Sequence, residues 1–222
     1  MRVQIAPTPL NALKGCKVIA ITPELARIHA RICGDGYIAH SLIRRSQKDL
    51  QSHHRKKIKR EWYEIRYTAT SGDLRKEFAD DIRRVFNRSC SKCSGGRELA
   101  VAGKSIYMLL KKMGVGKSRE WFVPYCILNS SKNVKKAWLQ AFFSDEGTVD
   151  NSRKRVRIKS MNLHGLKQSK KMLLDIGIKS RITGPNCDGS WYLTVKEIGK
   201  FQGRVNFSDR EKKVRLEKLC NL

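Results

Sequence analysis

Residues 28–36 read IHARICGDG and residues 139–147 read LQAFFSDEG, and these two segments decide the fold. Each is predicted to end a helix, because each places an acid directly before a glycine that can adopt the left-handed conformation of a helix C-cap. Small residues recur one helical turn apart on each helix, and such a stripe lets two helix backbones approach closely. They are Ala26, Ala30 and Gly34 on the first helix, and Ala137 and Ala141 on the second.

The acids of the two segments, Asp35 and Glu146, would meet if these helices pack side by side. The unpaired carbonyls and negative dipole ends of both helices would then face each other across a short gap. Adding a carboxylate to each end is repulsive unless cations lie between them. Because oxygen ligands suit Mg²⁺, we predict a divalent metal site at Asp35 and Glu146. A simple turn is the alternative for either segment taken alone.

The same order of elements follows each segment, namely two strands, a helix, two strands and a helix. In the first half, Thr22 is predicted to cap a helix that starts at Pro23, and apolar residues from Leu74 to Phe86 recur at helical spacing. The second copy lies at an offset of 92 residues (Leu74 to Leu166). Such a duplication predicts pseudo-two-fold symmetry within one chain. We expect an N-terminal extension over 1–21, a first repeat over 22–130 and a second over 131–222.

The net charge of the chain points to a polyanionic partner. Its 222 residues contain 47 Lys and Arg against 20 Asp and Glu, which gives a formal charge of +27. That much self-repulsion destabilises a compact chain unless a polyanion neutralises it. Nucleic acid is the first candidate and an anionic membrane surface the second. The start lacks a signal-peptide pattern, and no apolar run approaches the ~20 residues of a membrane span. We therefore expect an intracellular, cytoplasmic protein, associated with the nucleoid in a prokaryote.

Seven cysteines in such a chain are expected to be free thiols. Cys90-x-x-Cys93 has the spacing of metal ligands, but a structural zinc site needs four ligands and no second pair is present. Two thiols in a turn-rich loop over 90–96 are the favoured interpretation. A zinc site completed by Cys187 or a histidine, and a disulfide, remain open alternatives.

The two segments, each with its following elements, resemble the motifs of the LAGLIDADG homing endonucleases, in the single-chain form with two motifs. The resemblance covers about residues 22–222. Gly114–Ser118 followed by Val123-Pro124, and the run Phe207–Lys213, are similar to the segments that close each repeat in intron- and intein-encoded members. The resemblance implies an α+β fold in which two pseudo-symmetric αββαββα repeats form a saddle of two antiparallel sheets, in a monomer.

In that family the acid before the last glycine binds the catalytic metal, which implies Asp35 and Glu146. The resemblance further implies the backbone carbonyls of Gly34 and Asp145 as ligands, Mg²⁺ as the cofactor and Mn²⁺ as its substitute. Basic residues near the metals would be Lys117 and either Lys212 or Lys213.

The chain departs from the family pattern at two places. Trp121 stands where other members carry a lysine three residues before the proline. In the first motif, His29, Arg31 and Cys33 replace the usual apolar and acidic residues. We expect Arg31 to point off the helix interface.

The implied activity is a double-strand break in a long, asymmetric DNA target by metal-dependent phosphodiester hydrolysis, as in intron homing. Each sheet would lie in the major groove and present alternate side chains to the bases. The predicted DNA contacts are Arg44, Arg45, Lys48, Arg66 and Thr68 in the first repeat, and Arg153, Arg155, Arg157 and Lys159 on one strand face in the second. Two alternatives are kept: an intron maturase that binds host RNA with the same basic surface, and a DNA-binding protein that does not cleave.

Overall fold

The computed structural model describes residues 21–44 and 59–221. Residues 1–20 of the predicted extension, and the predicted DNA contacts Arg45 and Lys48, lie outside these ranges. The described residues form two successive sets of elements with the same order, as the internal duplication predicts. None of the helices within these ranges is long and apolar enough to cross a membrane.

The first repeat follows the predicted plan of helices and strands. Its first helix starts at Pro23, because the Thr22 hydroxyl accepts a hydrogen bond from the Leu25 N–H at 3.3 Å. A short helix, α4, connects it to the second repeat. The elements are α1 (Pro23–Cys33), β1 (Gly36–Arg44), β2 (Lys59–Thr68), α2 (Gly72–Phe86), β3 (Ser91–Cys93), β4 (Glu98–Ala102), α3 (Lys104–Lys112) and α4 (Tyr125–Leu128).

The second repeat has the same plan and ends with two helices. Ser131 caps its first helix, and the Asp209 carboxylate caps its last by accepting from the Lys212 N–H at 2.9 Å. Its elements are α5 (Lys132–Glu146), β5 (Gly147–Asp150), β6 (Arg155–Ser160), α6 (Leu163–Asp175), β7 (Ser180–Thr183), β8 (Trp191–Val195), α7 (Ile198–Arg204) and α8 (Arg210–Cys220).

The two sheets are antiparallel and have equivalent strand orders, β1-β2-β4-β3 and β5-β6-β8-β7. Their registers are also equivalent, since Gly36 pairs with Tyr67 in the first sheet and Gly147 pairs with Ile158 in the second. Alternate strand residues such as Ile65, Tyr67 and Ile158 are buried against the helices. We call the opposite side of each sheet its open face. The predicted α+β fold with two pseudo-symmetric repeats is confirmed.

Helices α1 and α5 lie side by side in the centre of the molecule. Ala26, Ala30 and Ala141 are fully buried, so the predicted stripe of small residues does lie in the helix interface. Aromatic residues of α5, led by Trp138 and Phe142, fill the core beside it. This packing brings the C-terminal ends of the two helices to the same place.

The glycines after the two acids do not adopt the predicted left-handed conformation. Gly147 is extended, with φ −79° and ψ 146°, because β5 starts directly at this residue. Glycine is required at these two positions because a side chain would not fit, and not because the backbone adopts a positive φ. A Cβ on Gly147 would lie 2.3 Å from the Phe143 carbonyl oxygen, and one on Gly36 would lie 2.7 Å from the Ile32 Cα. The chain thus folds back onto the last turn of each helix.

The predicted loop over 90–96 is wrong in part, because residues 91–93 form the edge strand β3. Gly95 and Gly96 have positive φ values of 64° and 84°, and they make the tight turn that returns the chain to β4. Glycine spacing in the sequence indicated the turn but not the short strand before it.

Candidate active site

The helix ends of α1 and α5 touch at Gly34. A Cβ on this residue would lie 3.2 Å from the Asp145 Cβ and 3.5 Å from the Glu146 Cγ. There is little room for a side chain, so the absence of one at position 34 lets the two ends meet. The structure therefore brings together four of the predicted site residues: Gly34, Asp35, Asp145 and Glu146.

The carboxylates of Asp35 and Glu146 share this place without a direct cation partner. Within residues 21–44 and 59–221, neither side chain has a hydrogen bond or an ion pair. Burial raises the pKa of Glu146 to about 7, and the negative charge of Asp35 adds to that effect while Lys212 opposes it. Burial also raises the pKa of Asp35. Two carboxylates that disfavour each other's ionisation are the electrostatic condition for binding a cation.

The Asp145 side chain is fully buried behind these acids. Its Oδ1 accepts hydrogen bonds from Arg31 Nη1 and from the Tyr67 hydroxyl, both at 2.8 Å. Its Oδ2 is buried and has no partner. Burial raises the pKa of Asp145 to about 7, although Arg31 and Tyr67 lower it. The backbone carbonyl of Asp145 also accepts a hydrogen bond, from Lys212 Nζ at 2.9 Å.

Arg31 lies inside the interface between the repeats, so the expectation that it points off the interface is wrong. Its side chain is fully buried and bonds to Tyr67, Asp145 and Glu77. These oxygens come from β2, from the opposing helix α5 and from α2, and together they offset the cost of burying a guanidinium. Its Nε has no partner. Sequence reasoning missed this cluster because its members are remote in the chain.

Lys212 is the lysine that the structure brings to the acids. Its Nζ donates to the carbonyls of Ser144 and Asp145, at 2.6 and 2.9 Å, at the end of α5. Burial lowers the pKa of Lys212, whereas Asp145, Asp209, Asp35 and Glu146 raise it.

The other two candidate lysines are exposed. Among the described residues, no hydrogen bond or ion pair joins Lys117 or Lys213 to the acids. The sequence alone left open the choice between Lys212 and Lys213.

Trp121 fills the core at the position where the family resemblance implies a lysine. It is 2 % exposed, and its ring centroid lies 5.0 Å from that of Phe142. The Asn162 amide donates a hydrogen bond to its carbonyl oxygen at 2.5 Å. Beside it, an open recess of about 350 Å³ reaches from Cys33 and Gly34 to Glu146. The two flanks of the acid pair therefore differ: Lys212 bonds to the end of α5 on one flank, whereas on the other the recess is lined by Trp121 and by the Lys159–Asp188 ion pair.

His29 and Cys33, the other unusual residues of the first motif, are buried in the core. The Trp138 indole N–H donates to His29 Nδ1 at 3.0 Å, so His29 Nε2 carries the proton that is donated to the Met113 carbonyl at 3.0 Å. Burial lowers the pKa of His29 to about 4 and raises that of Cys33. Both ring nitrogens of a neutral imidazole are thus occupied, and the pair is structural.

Of the predicted DNA contacts of the first repeat, Arg44, Arg66 and Thr68 are described, and they lie on β1 and β2. Arg44 is the last residue of β1 and pairs with Lys59. Arg66 is on the open face, where Glu64 and Glu98 hold its guanidinium. Thr68 is exposed at the end of β2, beside the segment that leads to α2.

In the second repeat, Arg155, Arg157 and Lys159 alternate with the buried Val156 and Ile158, and so they lie on the open face. The prediction that Arg153 belongs to the same strand face is wrong. β6 begins at Arg155, and residues 151–154 form a turn in which Lys154 has a φ of 43°.

Cys33, Cys90, Cys93, Cys126, Cys187 and Cys220 are free thiols. Among the described residues, no group of three or more His, Cys, Asp or Glu side chains is arranged to hold a metal ion. The Cys90-x-x-Cys93 pair thus gains no further protein ligand from the described part of the chain. A metal at the helix ends would rely on two carboxylates and on backbone oxygens.

Comparisons with known proteins agree with this architecture. Residues 133–219 match the family model of the LAGLIDADG-like domain. The structure is similar to that of variants of the homing endonuclease I-DmoI, with a TM-score of 0.62, 19 % identity, and coverage of 83 % of this chain and 91 % of that one. For I-DmoI in complex with DNA and Mn, these values are 0.61, 18 %, 83 % and 97 %.

Full-length DUF199/WhiA from T. maritima is also similar, with a TM-score of 0.55 and 11 % identity over 93 % of this chain and 62 % of that one. No curated protein matches the sequence. The second repeat thus matches the LAGLIDADG-like domain, and the described residues have the LAGLIDADG fold in its single-chain form with two repeats. The family resemblance inferred from residues 28–36 and 139–147 is confirmed.

Proposed function

We propose that this chain is a site-specific DNA endonuclease that makes a double-strand break in a long, asymmetric target by divalent-metal-dependent hydrolysis, as an agent of intron homing. One observation carries the proposal. Two acids from equivalent helix ends, Asp35 and Glu146, are placed together without a direct cation partner in the described structure. Since both acids come from one chain, a monomer would suffice.

The residues at the helix ends fit a divalent metal. Asp35 and Glu146 would hold Mg²⁺, with Mn²⁺ as its substitute, and the carbonyls of Gly34 and Asp145 would be further ligands. This set contains oxygens alone, which suits a hard cation. The buried Asp145 Oδ2 has no hydrogen-bond partner, as expected beside a cation site. The Asp145 carbonyl retains a second lone pair after bonding to Lys212.

When bound, the metal would supply the positive charge that stabilises the attacking and leaving oxygens of phosphodiester hydrolysis. The chain's own residues would position the DNA and move protons. Lys212, fixed by two carbonyls at the end of α5, would donate a hydrogen bond to a water or to a phosphate oxygen. Because the acids straddle the pseudo-dyad, they would serve the two scissile phosphates that face each other across the minor groove.

The open faces of the two sheets would bind the DNA target. The charge of +27 favours phosphate contacts, which implies binding that weakens steeply with salt. The complexes of I-DmoI with its target DNA, in the presence of Mg or Mn, support both the partner and the metal by similarity of fold.

The experiment uses a plasmid that carries the sequences flanking this reading frame, joined without the insertion. Incubation with the full chain and Mg²⁺ is expected to linearise the plasmid, and EDTA is expected to prevent it. Binding of this DNA without cutting, under Mg²⁺ and Mn²⁺ alike, would favour the non-cleaving DNA-binding alternative. Tighter binding to the intron RNA than to the DNA, without cutting, would favour the maturase.

A further inference from the structure

The open faces of the two sheets differ at positions that the strand register makes equivalent. Tyr67 pairs with Gly36 and Ile158 pairs with Gly147, and each glycine directly follows one of the two acids. Arg66 and Arg157 come one residue before Tyr67 and Ile158, so they occupy equivalent positions of the two sheets. By the same register Glu64 corresponds to Arg155. Ser91 on β3 corresponds to Arg181 on β7, since they pair with Ala100 and Thr194 at equivalent points of the sheets.

On the first sheet, two glutamates bind the guanidinium of Arg66. Its Nε donates to Glu64 Oε1 and its Nη1 donates to Glu98 Oε1, both at 2.8 Å. The Trp62 indole N–H donates to the second oxygen of Glu64 at 3.1 Å. Two carboxylates surround one arginine, so the described centre of this face carries a net negative charge.

On the second sheet, the guanidinium of Arg157 lies 4.7 Å from the ring centroid of Tyr192. Arg181 is exposed on β7, and both arginines pair with Thr194 of the strand between them. Neither forms an ion pair with any residue in the described ranges. On β6, the two cations that flank Arg157 are held by carboxylates, Arg155 by Asp150 and Lys159 by Asp188. An open recess of about 490 Å³ lies beside Arg181 and Thr194.

An unpaired guanidinium above a sheet has the geometry that recognises guanine, because its fork donates two hydrogen bonds to O6 and N7 in the major groove. We propose that Arg157 and Arg181 each specify a guanine in the half-site that faces the second repeat, whereas Arg66 specifies no base in the other half-site. This inference rests on the proposed function, because it takes the open faces to lie in the major groove of DNA. The inference thus assigns the arginine-dependent recognition of guanine to the second repeat.

The test measures binding of the full chain to duplexes that carry each single base-pair change in the cleaved target, with Ca²⁺ in place of Mg²⁺. If no target is cut, the target is first selected by binding from a random pool. Changing either of two guanines in one half-site is expected to weaken binding of the parent chain about 5- to 150-fold. Arg157→Ala is expected to remove the penalty at one guanine, and Arg181→Ala at the other.

Arg66→Ala is the matched control and is expected to leave the preference at every position unchanged. Arg157→Lys keeps the charge and is expected to fold and bind phosphate, but to weaken the guanine preference, because lysine lacks the planar bidentate fork of arginine. Retention of every preference by Arg157→Ala and Arg181→Ala would overturn the inference, as would loss of a guanine preference in Arg66→Ala. Arginine-dependent guanine preference without cutting under Mg²⁺ would leave this inference standing and refute the proposed activity. Cutting under Mg²⁺ without an arginine-dependent guanine preference would support the proposed activity and refute this inference.

Discussion

The segments that close the two repeats run through equivalent positions but deliver different side chains to the centre. Residues 115–121 bury Trp121 against Phe142, whereas residues 207–213 place Lys212 on the carbonyls of Ser144 and Asp145. The helix ends between them remain alike, and each contributes one acid. The duplication is thus preserved at the two helix ends, which supply the acids of the proposed site. Around that place, the two copies have diverged, which suits an asymmetric target.

The largest expected effect comes from the feature that the two halves share. Asp35→Asn or Glu146→Gln is expected to lower the rate of plasmid linearisation at least about 1,000-fold, because each removes a carboxylate from the proposed metal site, and such a ligand is worth several kcal/mol. Binding in Ca²⁺ should remain largely intact. Glu24→Gln, at the other end of α1, is the control and should cut normally. Cutting at the parental rate by both acid variants would show that the metal assignment is wrong.

Substitution of Arg31 tests how much its buried ion pair with Asp145 stabilises the interface between the two repeats. Arg31→Met is expected to lower the free energy of unfolding by about 3–5 kcal/mol, because it leaves the Asp145 carboxylate buried without its cation. Chemical denaturation gives the value. The control Arg84→Met removes an exposed arginine that pairs with Glu24 at the start of α1, and it should cost about 1 kcal/mol at most. If Arg31→Met with Asp145→Asn is no more stable than Arg31→Met alone, the two residues do not act as a pair.

Substitution of Lys212 tests whether the two closing segments contribute differently to the cleavage rate. Lys212→Met is expected to slow cleavage about 100-fold with unchanged binding, because it removes a positioned donor beside the acids. Lys117→Met, in the equivalent segment of the first repeat, should stay near the parental rate. Equal losses in the two variants would mean that Lys117 moves to the acids when DNA binds.

The pH dependence of stability is the smallest expected effect. The pKa values of Asp145 and Glu146 are both about 7, so between about pH 4 and pH 7 the folded chain holds protons that the unfolded chain has released. The Glu146 carboxyl alone should therefore lower the stability of the metal-free chain by about 2 kcal/mol between pH 5 and 7.5, and Asp145 acts in the same direction. His29 opposes both acids, because burial lowers its pKa to about 4 and the unfolded imidazole loses its proton over this range.

Thermal unfolding at the two pH values measures this change. Glu146→Gln should flatten the dependence, and excess Mg²⁺ should do the same because it binds the ionised carboxylates. A pH dependence of stability that Glu146→Gln leaves unchanged would contradict the raised pKa of Glu146.

Much of the fold could be predicted because the duplication repeats its local signals. Thr22 and Pro23 start a helix, Leu74 to Phe86 follow its period, and the small residues at Ala26, Ala30 and Ala141 mark the helix interface. These signals act over a few residues, so a single sequence carries them. The meeting of Asp35 with Glu146 followed from the same pattern.

The remaining features depend on partners that are distant in the chain. Arg31 turns inward because Tyr67, Glu77 and Asp145 converge on it, and nothing near residue 31 indicates them. Arg66 is bound by Glu64, two residues away, and by Glu98, 32 residues away, and the contribution of Glu98 depends on the pairing of β2 with β4. The extended glycine at position 147 reflects the immediate start of β5, which a helix-ending pattern does not reveal.

The central claim is that Asp35 and Glu146, one from each repeat, bind metal together. The most direct measurement is the anomalous scattering of Mn²⁺ in crystals of the full chain bound to its target DNA. We expect Mn²⁺ peaks between the two helix ends, in contact with oxygens of both Asp35 and Glu146, and the loss of those peaks in Asp35→Asn combined with Glu146→Gln. Peaks elsewhere, or acids separated by protein with no Mn²⁺ between them, would contradict the account.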